Sequence, residues 1–148
     1  MNLLGLMEVS GSALQAERIR AEVVAANMAN AETTRTAEGG PYRRQEVVFS
    51  SDAQPGAFAS RLSLASGQTD PPIGGVRVSA VVDDPSSPLR RYDPGNPDAD
   101  KNGYVAYPDI NPLTEMVDLM GATRAYGLNS SAVQAEKSMV TSSLDILR

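Results

Sequence analysis

Two long stretches of the chain carry apolar residues at helical spacing, and the segment between them does not. From residue 2 to about 31 there is no proline, and Gly5 and Gly11 are the interior glycines. Leu3, Met7, Leu14, Ala21, Val24 and Met28 fall on one stripe of a 3.5-residue repeat, interrupted by Ser10 and Glu17. A second apolar line, Val9, Ala13, Ala16 and Val23, lies elsewhere on the same helix. Such a helix is about 45 Å long at about 1.5 Å per residue. It is predicted to end near Asn30-Ala31, ahead of Thr33-Thr34 and the breaker Gly39-Gly40-Pro41.

The second stretch runs from about 113 to 148. Asn111 is placed to cap it and Pro112 suits its first turn. Leu119, Tyr126, Val133, Val140 and Leu147 recur every seven residues, and Ala125, Ala132, Met139 and Ile146 run parallel to them. Gly121 and Gly127 each weaken an exposed helix by about 1 kcal/mol, which predicts that close packing explains them. The pattern continues to Arg148 without a capping segment.

Between the helices the period changes. Val47 to Phe49, Val76 to Val82 and Tyr104 to Tyr107 read as short strands, and Leu89 to Tyr92 as a weaker fourth. Residues 50–73, rich in Ser, Ala, Gln, Gly and Pro, read as a mobile loop. Eight of the ten prolines lie between residues 71 and 112, which forbids a helix there. The fold class is therefore α+β, with long N- and C-terminal helices paired as a coiled coil and a small β-rich insert between them. Residues 1–41 and 112–148 form the helical core and 42–111 the outer insert. Two apolar lines on each helix predict neighbours beyond the partner helix, as in a subunit of a tube or bundle.

Composition narrows the function. Aromatics are 5% of 148 residues, with two Phe and no Trp, so core-filling groups are scarce and burial between subunits must add stability. Net charge is −5 from 13 basic and 18 acidic residues. Arg43-Arg44 and Arg90-Arg91 are isolated pairs, so the concentrated basic footprint of a nucleic-acid binder is missing. The absence of His and Cys removes the commonest general base, the Ser-His-Asp arrangement, thiolate nucleophiles and most zinc sites. The apolar start, Met1 to Met7, has no basic region and is too short for a cleavable signal, and no stretch reaches the ~20 apolar residues of a membrane span. Any export is therefore expected to read an uncleaved N-terminus.

Two acidic segments carry candidate chemistry. Asp98-Ala99-Asp100-Lys101-Asn102-Gly103 matches the opening of a calcium loop, and Asp109 stands where such a loop ends. A small calcium-binding module using residues 98–109 is the alternative function. The plainer reading is a turn in which Asp and Asn bond their own backbone, because Pro97 and Pro108 replace the flanking helices. Asp83-Asp84 before Pro85 reads as a solvated loop, since a general acid/base pair needs a pocket that splits its pKa values. Gly39-Gly40-Pro41 precedes a strand and so is no phosphate loop. The chain is expected not to be an enzyme, with no catalytic, cofactor-binding or metal-binding residue.

The strongest motif is N-terminal: Ser10-Gly11-Ser12-Ala13-Leu14-x-Ala16, then Asn27-Met28-Ala29-Asn30-Ala31-x-Thr33-Thr34, then Tyr42-Arg43-Arg44. Asn27 and Asn30 share a helix face, where amides bond a neighbouring backbone or cap a frayed helix end. Together these residues resemble the signature of the bacterial flagellar rod, hook and filament family. Gly39 to Arg44, Tyr92 to Asp100, Asn102 to Pro108, Glu115-Met116-Val117, Arg124-Ala125-Tyr126, Asn129 and Lys137-Ser138-Met139 are similar to its proximal rod members. The resemblance covers most of the chain outside 50–73.

It implies a structural subunit whose paired terminal helices line a hollow helical rod that transmits torque from motor to hook. It implies export by the flagellar type III apparatus without a cleaved signal, and a place in the basal body within the periplasmic space. The partners implied are further copies of the chain and rod proteins of the FlgB, FlgF, FlgG and FliE types, with no nucleic acid and no membrane insertion. The subunit-interface residues expected are Met7, Leu14, Asn27, Asn30, Leu119, Tyr126, Val133, Val140 and Leu147.

Overall fold

The computed structural model describes residues 3–51 and 74–146. The loop expected at 50–73 therefore lies, from residue 52 onward, outside the described residues, as does Leu147. Helix α1 spans Leu3–Ala29 and helix α2 spans Pro112–Ile146. Four strands lie between them: β1 Gln45–Ser51, β2 Val76–Asp83, β3 Leu89–Tyr92 and β4 Tyr104–Tyr107.

Both helices end where their sequences stop satisfying the backbone. Asn30 closes α1, donating its side-chain amide to the Ala26 carbonyl at 2.9 Å and accepting from the Thr33 hydroxyl at 3.1 Å. Asn111 opens α2, its Oδ1 accepting from the Leu113 N–H at 3.0 Å, with Pro112 in the first turn where no N–H is needed.

The helices lie side by side and antiparallel. Ser10 donates to Glu136 near one end, and Asn27 donates to Glu115 near the other. Their seam differs from the apolar one expected. On α2 the residues facing α1 include Glu115, Ala122, Asn129 and Glu136, seven apart, alongside the half-buried Leu119, Val133 and Val140. Tyr126, in the same line, is 45% exposed. In the line of Ala125, Ala132 and Met139, the two alanines are half-buried and Met139 is exposed. On α1 the polar interruptions sit inside the seam: Ser10 is buried and Glu17 half-buried. Small residues set the approach, with Ala16, Val24 and Ala122 buried. Gly121 and Gly127 meet no atom of the described residues within 4 Å of an added Cβ, so close packing among those residues does not explain them.

The strands form two separate antiparallel ribbons, β1–β2 and β3–β4. In the first, Gln45 pairs with Asp83 and Val47 with Val81, with a bulge between Val48 and Phe49. Pro85 and Pro88, which cannot donate to a ladder, separate the ribbons. In the second, Leu89 pairs with Tyr107 and Tyr92 with Tyr104, whose rings meet edge to face at 5.4 Å. Val105 and Ile110 are buried beneath it. Gly103 takes φ +80°, a left-handed turn that a side chain resists.

Candidate functional site

Three chain segments converge on one amide. The Asn27 side chain, near the end of α1, pairs with the backbone of Gln45 at the start of β1 as a neighbouring strand would. It accepts from the Gln45 N–H at 2.9 Å and donates to the Gln45 carbonyl at 2.9 Å. Its second N–H reaches Glu115 on α2 at 3.1 Å, and its oxygen accepts from the Tyr42 hydroxyl at 3.2 Å. All donors and acceptors of the amide are used. Asn27 and Glu115 are each 1% exposed.

Glu115 is a carboxylate taken out of water, which is tolerated only with strong partners. Arg44 supplies one, its Nε donating at 2.6 Å. Arg44 also pairs with Glu46 and lies 3.7 Å from Asp118, which Arg20 of α1 reaches at 3.6 Å. The Arg44 guanidinium is held above its ordinary pKa, first by the hydrogen bond to Glu115. The Tyr42 phenol is also raised, by burial and then by the charges of Asp83 and Glu115. Neither group is poised for proton transfer near neutrality. The cluster is suited to fastening the base of β1 onto both helices.

The expected interface residues scatter over different environments. Asn27 enters this cluster, and Asn30 caps α1. Met7, Leu14, Leu119, Val133 and Val140 are half-buried along the helix pair, and Tyr126 is exposed. Sequence pattern alone did not single out Glu115 or Arg44 as buried partners. An acid in the first turn of a helix reads as a favourable dipole contact, and Arg beside Arg reads as surface.

The acidic 98–109 segment is committed to internal bonds. Asp98 accepts from the Thr34 hydroxyl at 2.8 Å and from Arg35 at 3.1 Å, tying the α1–β1 connection to the β3–β4 loop. Asp100 accepts from the backbone N–H of Asn102 and Tyr104, which holds its carboxyl below the usual range, and it also meets Arg90. Among the described residues no three carboxylates are grouped to hold a metal ion. The turn reading of this segment accounts for its residues. Asp84 likewise caps a local turn, its Oδ1 accepting from the Ser86 N–H at 2.8 Å, and it lines a shallow cleft with Tyr42, Arg44 and Asp109.

Comparison with known proteins places this geometry. Residues 7–35 match the family described as flagella basal body rod protein, and residues 101–146 match the C-terminal family of flagellar basal body rod FlgEFG proteins. The flagellar basal-body rod protein FlgC of Borreliella burgdorferi is 39% identical over 153 residues, covering 100% of this chain and 99% of its own. The FlgC proteins of Bacillus subtilis and Salmonella typhimurium are 41% and 38% identical, covering 95% and 99% of this chain, with 95% and 98% of their own lengths matched.

Proposed function

The chain belongs to the FlgC-type family of flagellar basal-body rod proteins, and from that premise we propose how it does its work. It is a structural subunit of the basal-body rod and not an enzyme. Polymerised with further copies and with other rod proteins, it forms part of the hollow proximal rod that carries torque from motor to hook. The flagellar type III apparatus exports it, and it takes its place in the periplasmic part of the rod.

The observation that carries the mechanical reading is the inverted polarity of α2. The helix buries Glu115 and Glu136 against α1 while Leu113, at 70% exposed, and Leu128, at 68%, face outward. Exposed apolar rows of this kind mark an interaction surface. We assign residues 1–41 and 112–148 to the inner, coiled-coil layer of the rod, and 42–111 to an outer layer. The seven-residue spacing of Glu115, Ala122, Asn129 and Glu136 on the α1-facing side supports that geometry.

Val133→Asp tests the assignment. A charge placed on the half-buried line of α2 leaves expression intact and abolishes rod assembly, read as hookless, non-motile cells. Motile cells with complete hooks would show that Val133 is not an assembly residue.

A further inference from the structure

Ser12 on α1 and Gly75 at the entry to β2 meet with no room between them. The Ser12 hydroxyl donates to the Val9 carbonyl at 2.8 Å, and its oxygen accepts from the Val76 N–H at 3.0 Å. A Cβ at Gly75 would stand 2.5 Å from the Ser12 Oγ and 3.1 Å from the Ser12 Cβ, so a side chain there forces one of the two elements to shift. The glycines with left-handed backbone, among the described residues, are Gly39, Gly40 and Gly103. Space, and not backbone conformation, therefore requires glycine at position 75.

This contact is the second of two that seat the β1–β2 ribbon on α1. At the first, Asn27 pairs with the backbone of Gln45. Ser12 and Asn27 are about 22 Å apart along α1, at about 1.5 Å per residue. Gln45 and Ser51, the partner of Val76, are about 20 Å apart at about 3.3 Å per residue. Helix and ribbon thus keep step over their common length, with Val47 and Val78 half-buried between the two fastenings. Both strands of the ribbon pack on α1, and among the described elements no strand packs on α2. Held at Asn27 alone, the ribbon could turn about that point. Held at both, it moves as one body with α1.

Resting on the rod-subunit reading, we propose that Ser12 and Gly75 are a positioning pair for load transfer. They fix the far end of the ribbon, so that a force on the insert passes into α1 instead of swinging the ribbon about Asn27. A side force at that far end acts on Asn27 through a lever of about 20 Å. Ser12 stands where the lever is longest, so one hydrogen bond of modest strength opposes the turn with the largest moment. The two serines of Ser10-Gly11-Ser12 then hold different elements, Ser10 reaching Glu136 of α2 and Ser12 reaching β2.

The chain has no cysteine, so spin labels at Gln15→Cys on α1 and Ala80→Cys on β2, both exposed positions, report the seat in the purified full chain. The otherwise native chain is expected to give one narrow distance distribution and Gly75→Ala a broadened or shifted one. Adding Ser12→Gly to Gly75→Ala removes the colliding atoms and should narrow it again. No change in Gly75→Ala, or no recovery in the pair, overturns the contact. In cells, Gly75→Ala is expected to complete its hooks yet swim more slowly than native in viscous medium, and the compensated pair to regain speed. Native speed, or loss of the hooks themselves, overturns the load path. Should Gly75→Ala fail to fold, Ser12→Ala decides, since it deletes the hydroxyl alone. The Val76 amide is then expected to exchange about fivefold faster or more, as loss of one hydrogen bond implies, with the Gln45 amide unchanged and protection restored by Ser12→Thr. Unchanged exchange at Val76 overturns the proposal. The label and exchange readings do not involve the rod, so absence of the tagged native chain from purified basal bodies would overturn the rod reading, and the load role with it, but not the contact.

Discussion

Replacing Glu115 with Gln removes one charge from the cluster at the base of β1 and keeps its shape. The carboxylate now accepts from Arg44 at 2.6 Å and from Asn27 at 3.1 Å. A Gln amide has one oxygen for those two donors, so its NH₂ must face an N–H. The loss is one charge-assisted hydrogen bond, worth about 1.5–3 kcal/mol. Orphaning a fully buried charge costs about 3–5 kcal/mol, but that figure is too large here. The Arg44 side chain is 22% exposed and keeps Glu46 and Asp118 as partners. A loss of about 2 kcal/mol is a large share of the 5–15 kcal/mol that holds a typical domain together. Urea unfolding of the purified chain, followed by far-ultraviolet circular dichroism, reads it as a lowered midpoint. A double-mutant cycle with Arg44→Gln isolates the pair. Hydrogen exchange at the Gln45 amide, now bonded to Asn27, should quicken in the same variant. A destabilisation below about 0.5 kcal/mol, the range of an ordinary surface substitution, would refute the clamp.

Two further perturbations probe other parts of the fold. Gly103→Ala forces a side chain into φ +80° with its Cβ 2.8 Å from the Tyr92 ring, and should cost about 1 kcal/mol or more. The measurement is a lower unfolding midpoint together with loss of the near-ultraviolet signal of the Tyr92–Tyr104 contact. Tyr42 has a phenol pKa raised in the folded state by burial. The stability this contributes is fully present below the unfolded tyrosine pKa of about 10 and is lost as pH rises through the higher folded value. Tyr42→Phe should remove that loss and the component absorbing at 295 nm that ionises above about pH 10.

Much of the fold was legible because its signals are local. Helical periodicity, proline positions and the Asn111-Pro112 cap placed both helices, and the β-branched runs placed four strands. Which face of α2 meets α1 was not legible in the same way, for a physical reason. Seven-residue repeats of apolar residues identify lines on a helix, but which line meets a partner depends on what the partner offers. Here α1 offers Ser10 and Asn27, so α2 buries Glu115 and Glu136, which hydrophobic patterning scores as surface, together with Ala122, beside the half-buried Leu119, Asn129, Val133 and Val140. Glycines were similarly ambiguous. Gly121 and Gly127 announce room for close approach, but not whether the neighbour belongs to the same chain. At the candidate site, the asparagine spacing pointed to Asn27, while its partners Gln45 and Glu115 lie 18 and 88 residues away. No local pattern links such positions.

The polar seam bears on where the subunit's stability resides. An apolar seam between α1 and α2 would make a helical hairpin stable by itself. Instead Glu136 has one carboxylate oxygen bonded to Ser10 and the other buried without a hydrogen bond. A buried oxygen of Glu17 is in the same position, with the Arg20 guanidinium 3.8 Å away, close enough to pair electrostatically but not to bond. Each unsatisfied group costs about 1–3 kcal/mol, Glu136 toward the end of the pair far from the Asn27–Glu115 clamp and Glu17 midway along α1. The apolar area that could offset this faces outward on α2. Burying it against neighbours makes stability depend on assembly, as for any group that binds only the folded state. The two ends of the helix pair therefore differ. At one, the clamp fixes the insert to both helices within the subunit. At the other, an oxygen of Glu136 stays unsatisfied while apolar residues of α2 face outward, and we propose that this end gains its stability where neighbouring rod subunits cover them.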